Sequence, residues 1–145
     1  MNKKYLMGVD IGTTGSKAGI FNLEGKLLAS GYYEYPCSYP KPLWVEQDLT
    51  LVIDSAMAAI KDAVVKSGID SSEIYSVAFS AQRSCTIFLD ASGNLIRPMI
   101  SWMDNRPVKE VEEINKALGE KEFVQKTGFK NSTTSRLYPA QNGRR

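Results

Sequence analysis

The sequence predicts an α/β domain in which a mixed sheet opens with an antiparallel β-meander and is flanked by helices. Two observations carry this. Three extended runs, Tyr5 to Val9, Ser16 to Asn22 and Lys26 to Tyr35, follow one another with only turn residues between them, and a long amphipathic pattern begins at Leu49. A doubly wound parallel sheet would need a helix after its first strand, where this chain has a second strand.

The first strand ends at Asp10 and the second resumes after a stretch rich in Gly and Thr. Asn22-Leu23-Glu24-Gly25 makes the next turn and Lys26 to Tyr35 pairs back. Pro36, Pro40 and Pro42 mark a loop. From Leu49 the residues Val52, Ile53, Ala56, Met57, Ile60, Ala63 and Val64 recur at spacings of three and four, the signature of one helix face, with Asp48 as its cap and Gly68 as its end. Ile74 to Ser80 and Cys85 to Leu89 are β-rich, and Asp90 to Asn94 supplies a hairpin turn before an extended candidate, Leu95 to Ser101. Pro107 suits the first turn of a helix carrying Val108, Val111, Ile114 and Leu118 on one side and stopping at Gly119. A short helix from Lys121 to Lys126 ends at Gly128.

At 145 residues the chain fits one domain, and 43% hydrophobic with 23% charged residues is ordinary for a globular protein. Eighteen basic residues stand scattered among sixteen acidic ones, so no basic stripe points to nucleic acid. No apolar run reaches bilayer length, and the apolar stretch after Lys4 is too short for an export signal, so the expected location is the cytoplasm with no membrane partner. Cys37 and Cys85 are too few for a disulfide framework or a zinc site. The chain has no histidine, which removes His-based nucleophile systems and His-ligated metals. Catalysis would have to run on carboxylates, Lys, Arg and backbone amides.

The segment Gly8 to Lys17 reads GVDIGTTGSK. It lacks the Gly-Lys-Ser/Thr order of a Walker loop and the Gly-x-Gly-x-x-Gly of a dinucleotide fingerprint. What remains is a hairpin turn with glycines and hydroxyls flanked by one carboxylate and one lysine. Such a turn is either a plain hairpin or a phosphate cradle, since glycine lets amides approach an anion closely. Asp10 is the residue suited to a hydrated Mg2+ ion, and Lys17 adds positive charge near phosphates.

Four segments, in order, resemble the FGGY carbohydrate kinases, the group of glycerol kinase, xylulokinase and gluconokinase. They are Asp10 to Ala18, Trp44 to Asp48, Ser80 to Arg83 and Trp102 to Arg106, and the resemblance covers about residues 5 to 135. It implies an actin-like ATPase (ribonuclease H-like) fold and transfer of the terminal phosphate of ATP, with Mg2+, to a sugar or polyol. By the resemblance Asp10, Gly12, Thr13, Thr14 and Lys17 meet the nucleotide phosphates and metal, while Gln82, Arg83, Trp102 and Asp104 face the sugar. Glu46 to Asp48 brace the helix start. Trp102 as a core aromatic, and Asp104 with Arg106 as a surface ion pair, are the plainer readings. Arg83, following an apolar strand, is expected to be a buried charge in need of a partner.

Ser84 stands where glycerol kinases carry Glu, which argues against glycerol and leaves the sugar open. The family's catalytic Asp and adenine pocket are expected beyond Arg145, so this chain alone is expected to be inactive. The organisation expected is a family-like region over 1–135 and a polar tail, 136–145, outside the family pattern. An actin-like nucleotide-binding module with an assembly or chaperone role, and a non-catalytic fragment, are the alternatives. A homo-oligomer through the exposed inter-domain surface is the expected protein contact.

Overall fold

The computed structural model describes residues 4–133. Strands β1 (Tyr5–Ile11), β2 (Gly15–Asn22) and β3 (Leu27–Glu34) form the meander, followed by β4 (Glu46–Gln47), α1 (Leu49–Ser67), β5 (Ile74–Ala81), β6 (Met99–Ile100), α2 (Val108–Leu118) and α3 (Glu120–Thr127). The main sheet has the order β3-β2-β1-β5, with β1–β2 and β2–β3 antiparallel and β1–β5 parallel. The sheet is therefore mixed and opens with the meander.

One face of the sheet packs on α1. Met7, Val9, Ala18 and Ile20 from alternate strand positions meet Ala59 and Ala63 in a closed apolar cluster. Asp48 caps α1 by accepting from the Thr50 amide at 2.8 Å, and Gly68, at φ +67°, closes it. The helix sits so close to β3 that a Cβ on Gly31 would lie 2.3 Å from the Ala59 carbonyl oxygen. Gly31→Ala therefore forces the helix off the sheet. It is expected to cost about 3 kcal/mol, read as a lower urea midpoint at unchanged m-value.

Helix α1 lies over β3 and β2 far more than over β1, and β5 lies beyond it. Tyr75, Val77 and Phe79 of β5 are accordingly exposed, Phe79 by 66%. The β-rich run from Ile74 to Ser80 is thus an edge strand with an open side.

Three expectations shift in the second half of the chain. Cys85 to Leu89 forms no strand and is paired through the isolated bridges Thr86↔Ile100 and Leu89↔Leu95. Leu95 to Ser101 contributes only the two residues of β6, because Pro98 just before it has no N–H to give a ladder. Those two residues pair with β4, an element that the sequence patterns miss. Pro107 flanks α2 rather than entering it, and the α2 stripe is only half-covered: no α2 residue is fully buried. The expected tail, 136–145, lies outside the described residues. No described helix is long and apolar enough to cross a membrane.

Candidate phosphate turn and sugar platform

The parallel pairing of β1 and β5 sets Asp10 beside Ser80 and Ile11 beside Ala81, so both carboxyl ends open at the same rim. The chain turns there through Gly12, Thr13 and Thr14 into β2. Asp10 and Lys17 are cross-strand partners on the face away from α1, both exposed, and form no ion pair with each other. That face carries a groove of about 410 Å³ with Asp10 and Lys17 on its lining and Gly8, Gly19, Ala78 and Ser80 beside them.

The turn has an unequal distribution of hydrogen bonds. The Gly12 carbonyl accepts from the Tyr35 hydroxyl at 2.6 Å, the Thr13 carbonyl from Gln47 Nε2 at 2.8 Å, and the Thr14 carbonyl from the Tyr35 amide at 3.1 Å. All three carbonyls are thus tied to the protein. Among the described residues the amides of Thr13 and Thr14 have no partner. Oxygens that would repel an anion are held back, and donors that would bind one are left open. Burial raises the Tyr35 hydroxyl above its usual pKa, and the Asp10 carboxylate adds to the rise. The hydroxyl therefore remains a donor to Gly12 at neutral pH.

The residues expected to face the sugar divide. Trp102 is 40% exposed, which removes the core reading, and its Nε1–H donates to Thr13 Oγ1 at 2.9 Å. Its ring is tied directly to the phosphate turn. Gln82 continues the ladder by donating its amide to the Ile11 carbonyl at 2.8 Å, and its Oε1 is buried without a partner. Arg83 is exposed, so the expected buried charge is absent: the strand ends before it and its side chain needs no internal partner.

Asp104 does not face outward. It is 0% exposed, and its carboxylate accepts from the Val45 amide at 2.7 Å and from the Arg106 amide and guanidinium. Trp102 and Asp104 differ because this segment turns through a Ser101 carbonyl to Asp104 amide bond at 3.1 Å instead of alternating as a strand. The surface-pair reading fails as well, since Arg106 also bonds the buried Glu46 and lies 3.7 Å above the Trp44 ring centroid. Burial pushes the Asp104 carboxyl up, but the Arg106 bonds and the Val45 and Arg106 amides outweigh it and hold the carboxyl below its usual range.

The expected brace at the helix start is three separate devices. Asp48 caps α1, Glu46 pairs with Arg97 and Arg106, and Gln47 reaches the phosphate turn. The roles of Gln47 and Tyr35 escaped the sequence reading, and only the position of Gln47 inside a short polar stretch before a helix hinted at one. Cys37 and Cys85 are not joined in a disulfide, and burial pushes the Cys37 thiol up and away from reactivity.

Asp10 has the chemistry to hold a hydrated divalent ion. No group of three or more acidic or thiol ligands occurs among the described residues, so a protein cage of the zinc or calcium kind is not what these residues build. One exposed carboxylate beside open amides fits Mg2+, which keeps most of its waters and takes the rest of its ligands from phosphate.

The sequence profile described as the FGGY family of carbohydrate kinases, N-terminal domain, matches residues 5–138. Glycerol kinase of Thermococcus gammatolerans is 35% identical over 118 residues, which cover 81% of this chain and 24% of that protein. Glycerol kinase of Thermococcus onnurineus is 35% identical over 126 residues, with 87% and 25% covered. Among solved structures, gluconate kinase from Lactobacillus acidophilus superposes with a TM-score of 0.83 at 29% identity, over 90% of this chain and 26% of that one. The ligand-bound xylulose kinase from the same organism gives the same four values. The chain spans about a quarter of the length of these relatives. The fold is the actin-like ATPase fold of these sugar kinases. The chain belongs to the FGGY family of carbohydrate kinases and carries that family's N-terminal domain.

Proposed function

We propose that this chain is the phosphate- and sugar-facing part of an ATP-dependent kinase that moves the terminal phosphate of ATP to a hydroxyl of a sugar or polyol. One observation carries the reading: Trp102 donates to Thr13, which joins an exposed aromatic plate to the turn with open amides. An assembly or chaperone module has no use for such a plate at its phosphate turn.

In this reading Asp10 holds Mg2+, which when bound neutralises phosphate charge, and Gly12, Thr13, Thr14 and Lys17 cradle and attract the phosphates. Gln82, Arg83 and Trp102 meet the sugar: Trp102 covers its C–H face, and Arg83 and Gln82 bond its hydroxyls. Asp104 belongs to the support of that platform rather than to its surface. The relatives' names divide among glycerol, gluconate and xylulose, so a polyol, an aldonate and a ketose are the substrate classes to compare. Phosphoryl transfer rests on positioning donor and acceptor in a closed cleft, and in this reading the catalytic carboxylate is not among these 145 residues. The chain alone therefore transfers no phosphate. It works in the cytoplasm, and its bare β5 edge favours self-association.

The test uses the full-length protein that carries this N-terminal sequence. A coupled ADP-release assay over glycerol, D-gluconate and D-xylulose should give release that depends on one of them. Trp102→Ala and Arg83→Ala should each weaken sugar affinity by about tenfold and leave ATP affinity near wild type. Loss of ATP affinity with sugar affinity retained would reverse the assignment of the two sites.

A further inference from the structure

We propose that Gln47 is a positioning residue that ties the sugar-side strand end to the phosphate turn. The inference rests on the phosphate-turn reading above. Gln47 is 1% exposed and makes two bonds of opposite sense. Its Oε1 accepts from Gln82 Nε2 at 2.9 Å, and its Nε2 donates to the Thr13 carbonyl at 2.8 Å. The three groups form a directed chain, Gln82 to Gln47 to Thr13, across segments 35 and 34 residues apart in sequence.

Two features give this chain a use beyond packing. At its upstream end Gln82 Oε1 is buried with no donor, so the amide has one acceptor to spare. At its downstream end Thr13 is held at the carbonyl by Gln47, with the Cys37 thiol a longer donor to the same oxygen, and at Oγ1 by Trp102. A donor placed on Gln82 Oε1 polarises the amide and strengthens the next bond, and the effect passes to the Thr13 carbonyl. The Thr13 peptide, whose oxygen is held inward, presents the following amide, that of Thr14, to an anion. An amide is suited to this position because it accepts at one atom and donates from another in one plane. Leucine of similar size does neither, and glutamate accepts without donating.

The experiment is NMR on the isotopically labelled 145-residue chain, with inorganic tripolyphosphate as the anion. In Gln47→Leu the Thr13 carbonyl carbon should shift and the Thr13 and Thr14 amide signals should broaden, while the Ala59 and Ala63 methyls of the core stay in place. The apparent affinity for tripolyphosphate should fall about fivefold, the equivalent of one hydrogen bond. Gln47→Glu should disturb Thr13 in the same way and keep the Gln82 side-chain amide hydrogen-bonded and protected from exchange, which a mere packing role would not produce. If Gln47→Leu fails to fold, the Gln47→Glu comparison decides. Thr13 and Thr14 signals equal to wild type in the folded variants would overturn the proposal. Absence of any Thr13 or Thr14 response to tripolyphosphate in the wild-type chain would instead sink the phosphate-turn reading, because the ligand-free comparison stands without it.

Discussion

Asp10→Asn in a full-length kinase carrying this sequence is expected to lower turnover by about a hundredfold or more with the fold intact. Asp10 is an exposed strand-end residue that faces away from the α1 core, so its replacement leaves the packing of Met7, Val9, Ala18 and Ile20 untouched. Asparagine keeps the shape but brings no charge to a hydrated cation beside phosphate, and the developing charge of transfer is then less well balanced. The measurement is sugar-dependent ADP release at saturating ATP, beside a urea melt that should superpose on wild type. Turnover close to wild type would remove Asp10 from the site and leave the turn a plain hairpin.

The second large effect is on stability. Asp104→Ala takes the acceptor from the Val45 amide and the nearer partner from Arg106, whose side chain is only 12% exposed. A guanidinium held under Trp44 with Glu46 alone to balance it costs about 3 kcal/mol, or a fall of about 10 °C in thermal midpoint. The same segment presents Trp102, so sugar affinity should fall with it. The folded carboxyl is held below its usual range, so it contributes stability above the unfolded value, about pH 4, and loses it as pH falls through the lower folded value. Wild-type thermal midpoints should therefore drop below about pH 4, and Asp104→Ala should show a shallower drop there. Parallel curves for the two proteins would show that Asp104 is not the group that titrates.

Local signals made much of this legible. Asp48 and Gly68 bracket α1 because capping chemistry is written in single residues, and the meander shows because turn residues separate its runs. The turn between β1 and β2 is equally plain, since its glycines and threonines break the two apolar runs. The platform was harder. Strands of two residues, such as β4 and β6, have no period to detect. Trp102 and Asp104 look alike in a motif, yet one turns out and the other in, because a backbone bond from Ser101 to Asp104 sets their directions. Gln47 acts on a residue far away in sequence, and nothing near it announces that target. The run from Ile74 to Ser80 reads correctly as β-rich, but its composition does not tell that Tyr75, Val77 and Phe79 stay exposed, since composition reports what a strand is able to bury and not what covers it.

The contiguity of β1, β2, β3 and α1 also orders the assembly of the molecule in time. β2, β3 and α1 touch mainly one another, whereas β1 is shared between β2 and β5, and β5 must return across the whole of α1 to lie parallel to β1. Loop closure over short separations comes at low entropic cost, so the meander and α1 are set to condense first and β5, with everything that follows it, to dock on a finished surface. Gly31→Ala strikes the early unit and should slow refolding, while Asp104→Ala strikes the late one and should mainly hasten unfolding. The turn from Gly12 to Thr14 is thus built early, but Gln82 and Trp102 reach it late. A nascent chain is thus expected to have the β1–β2 turn before it has the Trp102 contact that holds Thr13 in place.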